Sequence, residues 1–102
     1  MGAKLVSDDQ TLLTKADGMI VAAPPAAIAG RIEARGVGIL AADFQPTAVV
    51  RLVVDMGTEE SERIPPLRKA NIQGQEIDLV HKAAHTAFAA AIRHYVIAGR
   101  IE

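Results

Sequence analysis

The 102-residue sequence contains no cysteine and no tryptophan, and its aromatic complement is one Tyr and two Phe. Without cysteine there is no disulfide and no thiolate zinc site, which fits a reducing compartment. Neither sign of charge dominates: eleven Lys and Arg against twelve Asp and Glu give a formal net charge of -1. That balance argues against a strong non-specific nucleic-acid footprint. No apolar run approaches the roughly 20 residues of a membrane-spanning helix. Met1-Gly-Ala-Lys4 also lacks the long apolar region of a secretory signal. The chain therefore reads as soluble and cytoplasmic, with neither membrane nor nucleic acid as partner. A further absence matters more: no G-x-x-x-x-G-K-S/T phosphate loop occurs anywhere in it.

What is present is apolar but slight. Hydrophobic residues make up 50%, much of it Ala, which buries little area, so residues 1–102 read as one small domain with a thin core. Lys4–Ser7 is a short apolar strand ended by Asp8-Asp9. Gln10–Leu13 and Met19–Ala22 flank Asp17-Gly18, a strong tight-turn dipeptide, and predict a β-hairpin. Pro24-Pro25 breaks the strand, and Pro25–Ile32 is expected to be a short helix or one and a half turns of one. Val37–Leu40 is strand-like and Phe44-Gln-Pro46 a loop. Ala48–Asp55 is nearly continuous in β-branched residues, interrupted by Arg51, and predicts a central strand buried on both faces. Met56–Pro66 reads as an exposed loop and Gln75–Val80 as a last strand. From about Ala83 to Ala98 the spacing turns helical, with Phe88, Ala91, Ile92, Tyr95 and Val96 on one stripe, Arg93 and His94 opposite, and Gly99 as the stop. The pentapeptide Ala-Gly-Arg-Ile-Glu at 29–33 and again at 98–102 reads as coincidence rather than a repeat architecture.

Two segments carry chemistry. Leu5-Val-Ser-Asp-Asp9 delivers adjacent carboxylates at a strand end. Ile32-Glu-Ala-Arg-Gly-Val-Gly-Ile39 sets a carboxylate and a guanidinium before a glycine-punctuated turn. A carboxylate at the C-terminal end of a strand in an open α/β sheet sits where ligands bind, and it can take the proton of an attacking hydroxyl. Together they resemble the metal-and-base half of a phosphoryl-transfer site. Plain readings stand beside these. Asp8-Asp9 can simply open a turn. Glu33 can pair with Arg31 or Arg35 at the surface, and Arg63 lies in a charged stretch with Glu59, Glu60, Glu62, Arg68 and Lys69 that resembles an ordinary solvated face. His81 and His85 are four apart, the spacing of a zinc pair on a helix. However, Lys82 stands where a metalloprotease would carry its base, and no third ligand accompanies them.

Several stretches resemble the catalytic domain of the HPr serine kinase/phosphorylase family. Leu5–Asp9 is similar to its L-V-A-D-D strand end, Ala23–Gly30 to its A-P-x-x-I stretch, Ile32–Ile39 to its L-E-I-R-G-L-G-I signature, and Glu62-Arg63-Ile64 to its D-R-L. The resemblance implies an α/β fold: a phosphate-loop, PEP carboxykinase-like kinase domain lacking its phosphate-loop segment, with a mixed sheet, a hairpin and a C-terminal helix. It implies ATP and Mg²⁺ as cofactors and the phosphocarrier protein HPr as partner, in control of carbon metabolism and the sugar phosphotransferase system. Asp9 takes the role of base, with Asp8 supporting it or helping to hold metal; Glu33 takes that of magnesium ligand, Arg35 and Arg63 of phosphate contacts, and Asp8, Gly36 and Gly38 stand on the cofactor side. The V-R-P-G-R-N loop tied to dephosphorylation has no match, Val80-His81-Lys82 standing near its place. The phosphate-loop lysine and serine would precede residue 1, so the chain alone is expected to be inactive, and a sheet edge left uncovered would favour a homo-oligomer. The alternative is a non-catalytic regulatory or interaction module on the same scaffold.

Overall fold

The computed structural model describes residues 3–102; Met1 and Gly2, part of the start read above as free of a secretory signal, lie outside the described residues. The chain divides into two compact units, Met1–Val50 and Arg51–Glu102. The first carries β1 (Leu12–Ala16), β2 (Met19–Ala23), a 3₁₀ turn over Ala26–Ile28, β3 (Arg31–Ala34), β4 (Gly38–Ala41) and β5 (Ala48–Val49). The second carries β6 (Leu52–Glu59), β7 (Arg68–Ile72), β8 (Gln75–Lys82) and α1 (Phe88–Ala98). The fold class is α/β, with the expected hairpin, mixed sheet and C-terminal helix.

In the first unit β1 and β2 form the hairpin that Asp17-Gly18 predicts, Ala16 standing opposite Met19. Asp17 and Gly18 have φ of 52° and 73°, the left-handed pair of a two-residue turn whose twist matches the strands. β5 pairs with the other edge of β2. Ile20 and Ala22, alternate residues on one face of β2, are 2% and 9% exposed. A separate antiparallel pair, β3 and β4, holds Glu33 opposite Ile39.

The second unit is a three-stranded sheet in the order β6-β8-β7, with β6 parallel and β7 antiparallel to the central β8. Ile77 of β8 is its buried apolar residue, 7% exposed. The Tyr95 hydroxyl donates to Asp78 Oδ2 at 2.7 Å and ties α1 to this strand. The Lys69 ammonium meets the other Asp78 oxygen at 2.5 Å. That shared carboxylate titrates below its ordinary range because Lys69, then Tyr95, donates to it.

Several expectations are corrected. Pro25–Ile32 is not a helix: one 3₁₀ turn over Ala26–Ile28 has no side-chain cap, and Ile32 lies in β3. Lys4–Ser7 makes only a parallel bridge, Leu5 with Phe44, so Phe44 is a pairing residue as well as a loop residue. Ala48–Asp55 is not one central strand. Its first two residues pair in the first unit and Leu52 onward in the second, where β6 is an edge strand with only half-buried or exposed residues. The supposed loop from Met56 is strand to Glu59, but irregular: Asp55 accepts from the Gly57 amide and the Thr58 hydroxyl, each at 2.9 Å, and the register shifts there. β7 falls where the sequence reads as solvated charge. α1 starts at Phe88 rather than Ala83, and its half-buried row is Phe88, Ile92 and Tyr95, with Ala91 and Val96 exposed. Among the described residues no helix is long and apolar enough to cross a membrane.

Candidate functional site

The first unit brings its two chemistry-bearing segments together. The bridge at Leu5 is closed by two bonds, Leu5 N–H to the Asp43 carbonyl at 3.1 Å and Gln45 N–H to the Leu5 carbonyl at 2.7 Å. Just beyond it the Ser7 hydroxyl donates to the Gln10 carbonyl, turning the chain at Asp8-Asp9. Asp8 Oδ2 then accepts the backbone N–H of Glu33 at 2.9 Å. Asp8, Asp9, Arg31 and Glu33 line one cavity of about 320 Å³, with Ile28 and Ile39 among its apolar walls.

β3 places its charges by alternation. Arg31 and Glu33 are exposed while Ile32 and Ala34 are half-buried. The turn into β4 is closed by Val37 N–H to the Ala34 carbonyl at 2.9 Å, and Gly36 sits in it at φ 81°, a conformation that side chains disfavour. Arg35, Gly36 and Gly38 line a shallow hollow at this turn, and Glu33 lines both hollow and cavity. Among the described residues Glu33 makes no ion pair with Arg31 or Arg35, so its carboxylate stays available.

Arg63 belongs to the second unit. There it lines a cavity of about 310 Å³ with Glu60, His81, His85 and Tyr95, walled by Phe88 and Ile92. The loop that carries it is organised by Glu60, whose carboxylate takes Arg68 Nε at 3.1 Å and Nη2 at 3.0 Å and caps the Ser61 and Glu62 amides at 3.2 and 3.3 Å. The Arg68 hydrogen bonds hold the Glu60 carboxyl below its ordinary range, and Glu60 raises Arg68 in return. Sequence reasoning counted both among solvated charges. The Glu60 side chain is in fact only 9% exposed.

The zinc reading of His81 and His85 fails on geometry. His81 is in β8, beside Glu60 at 3.8 Å, and His85 lies in the following turn, its ring 6.1 Å from that of Phe88. Among the described residues no group of three or more His, Cys, Asp or Glu forms a metal cage. The Glu33 carboxylate suits a different ion. Mg²⁺ takes hard oxygen ligands and uses one or two protein carboxylates, completing its shell with phosphate oxygens and water. The donor set fits that ion.

The fold is of the kind found in HPr kinase domains. One solved structure that shares it is the Hpr(Ser) kinase/phosphatase from Coxiella burnetii, with a TM-score of 0.71 over 92% of this chain at 17% sequence identity. The likeness is one of fold. The chain spans 65% of the length of that neighbour. No family model matches the sequence, and no curated protein matches it.

Proposed function

We propose that residues 1–102 are one part of a catalytic domain that uses ATP to phosphorylate a serine of the phosphocarrier protein HPr, a cytoplasmic step in the control of carbon metabolism. The supporting observation is that Asp9 and Glu33, distant in sequence, line the same cavity. Asp9 would accept the proton of the attacking serine hydroxyl, and return it if the reaction runs backward. Glu33 would hold Mg²⁺, which when bound neutralises nucleotide phosphate charge. Arg35 would contact the transferred phosphoryl group through its planar fork, while Asp8, Gly36 and Gly38 border the nucleotide.

These residues supply no phosphate loop, so the main grip on ATP must come from elsewhere, and the chain alone is proposed to be inactive. The test is nucleotide binding and HPr phosphorylation by the chain, alone and with a G-x-x-x-x-G-K-S segment supplied. No phosphoryl transfer is expected in the first case. Transfer that Asp9→Asn removes, by at least about a hundredfold, is expected in the second. Robust transfer without the segment would overturn the reading. Failure of the supplied segment to restore any transfer would favour a non-catalytic interaction module on the same scaffold.

A further inference from the structure

We infer that the two adjacent carboxylates divide their labour: Asp8 is a positioning residue that fixes the backbone of Glu33, and Asp9 is the carboxylate left for chemistry. The inference deepens the proposed function and rests on Glu33 as the metal ligand. Its carrying observation is the 2.9 Å bond from Glu33 N–H to Asp8 Oδ2, which joins chain segments 25 residues apart.

Among the described residues β3 pairs on one side only, with β4. The Glu33 amide points to the other side, where no strand receives it. An unpaired edge N–H is a conformational liability, and Asp8 satisfies it. The bond fixes the Glu33 Cα, and with it the origin from which that side chain reaches into the shared cavity. Asp8 itself is held by the Ser7–Gln10 turn and by the Leu5–Phe44 bridge behind it. The amide therefore meets a carboxylate placed by backbone structure rather than a freely swinging one. Preorganising a ligand in this way is what outer-shell partners of metal sites do, and removing such a partner typically weakens metal binding about 10- to 100-fold.

The distinction between ligand and positioning residue is testable because asparagine can still accept an N–H but is a poor substitute for a metal-binding carboxylate. Two readouts on the full chain decide it. The first is amide hydrogen exchange at Glu33 without metal. Wild type and Asp8→Asn should protect it alike, whereas Asp8→Ala should speed exchange about three- to tenfold, the range one net hydrogen bond allows. The second uses Mn²⁺ as the probe, followed by paramagnetic broadening. Asp8→Asn should stay within about fivefold of wild type, Asp8→Ala should weaken binding about tenfold or more, and Glu33→Gln should abolish it.

Loss of Mn²⁺ binding in Asp8→Asn as complete as in Glu33→Gln would make Asp8 a ligand and overturn the inference. So would unchanged Glu33 exchange in Asp8→Ala. Absence of Mn²⁺ broadening in the wild type would instead count against Glu33 as metal ligand in the proposed function. The exchange experiment would still decide whether Asp8 holds the Glu33 backbone.

Discussion

Gly30 and Gly36 both adopt positive φ, 71° and 81°, but a side chain would meet different surroundings at the two. A Cβ at Gly36 touches nothing within 4 Å, whereas one at Gly30 would come within 3.0 Å of two ring carbons of Phe44. Gly36→Ala should therefore cost only the left-handed backbone penalty, about 1 kcal/mol. Gly30→Ala should cost about 2–4 kcal/mol, because Phe44 must also give way, and with it the bridge that carries Asp8 and Asp9. Urea titration of the two variants checks the order, and equal losses would refute it. At Tyr95, removing the hydroxyl in Tyr95→Phe should cost about 0.5–1 kcal/mol, a figure held low because the acceptor Asp78 is partly exposed. Neither the Phe44 contact nor the Tyr95–Asp78 bond is legible in the sequence, since each joins residues whose proximity depends on the path of the chain.

The elements show where local pattern is blind. Asp17-Gly18 specifies its turn through its own backbone preference, and the hairpin follows. Gly99 stops α1 as expected, its N–H bonding to the Tyr95 carbonyl at 2.8 Å. By contrast, Ala48–Asp55 has uniform β propensity, and nothing local marks that its two ends pair with different sheets. β7 escaped notice because its inward residues, Arg68, Ala70 and Ile72, include a cation that is half-buried only by virtue of its partner, Glu60. Glu60 also predicts a dynamic effect. In Glu60→Ala the Ser61 and Glu62 amides lose their acceptor, so their exchange should accelerate while amides in the middle of β8 keep their protection. Uniform acceleration across the second unit would show that Glu60 acts on global stability instead of on the Arg63 loop.

At the scale of the whole molecule the core is thin, as the Ala-rich composition implies. Among the described residues only Ile20, Ala22 and Ile77 are buried apolar residues, while Val37, Leu67 and Ile101 are 75%, 73% and 100% exposed. Since the heat capacity of unfolding reports apolar surface removed from water, it should fall below the roughly 1.2–1.5 kcal/mol/K of a 100-residue domain in calorimetry. A value inside that range would contradict the small core. The pH dependence has a sign that can be worked out. Asp55, Glu60 and Asp78 all titrate below their ordinary 3.8 or 4.5, chiefly through hydrogen bonds from Thr58, Arg68 and Lys69 respectively. Their depressed values mean that the stability they contribute is present above that ordinary range and is lost as pH falls through the lower folded values. Lys69 and Tyr95 are raised above 10.5 and 10.0 by Asp78, so their contribution is full below those values and is lost as pH rises through the raised ones. Denaturant midpoints of the second unit should therefore form a plateau between the two limits. Asp78→Asn should flatten both flanks, and unchanged flanks would show that the Asp78 contacts are not the source.

The sequence by itself determined what depends on neighbours along the chain. It set the turns at Asp17-Gly18 and Gly36, the helical row ending at Gly99, the α/β class and the shortage of bulky apolar residues. It also marked Asp9 and Glu33 as a pair worth placing together, through residue type and flanking pattern. Only the tertiary structure decided that Asp8 spends an oxygen on the Glu33 amide, that Glu60 and Arg68 are a half-buried clasp, and that the run at Ala48 is shared between two sheets. Periodicity encodes which face a residue presents, and it carries no information about which distant segment meets that face. Those meetings arise only when the chain closes on itself and each unsatisfied edge amide or buried charge finds its partner.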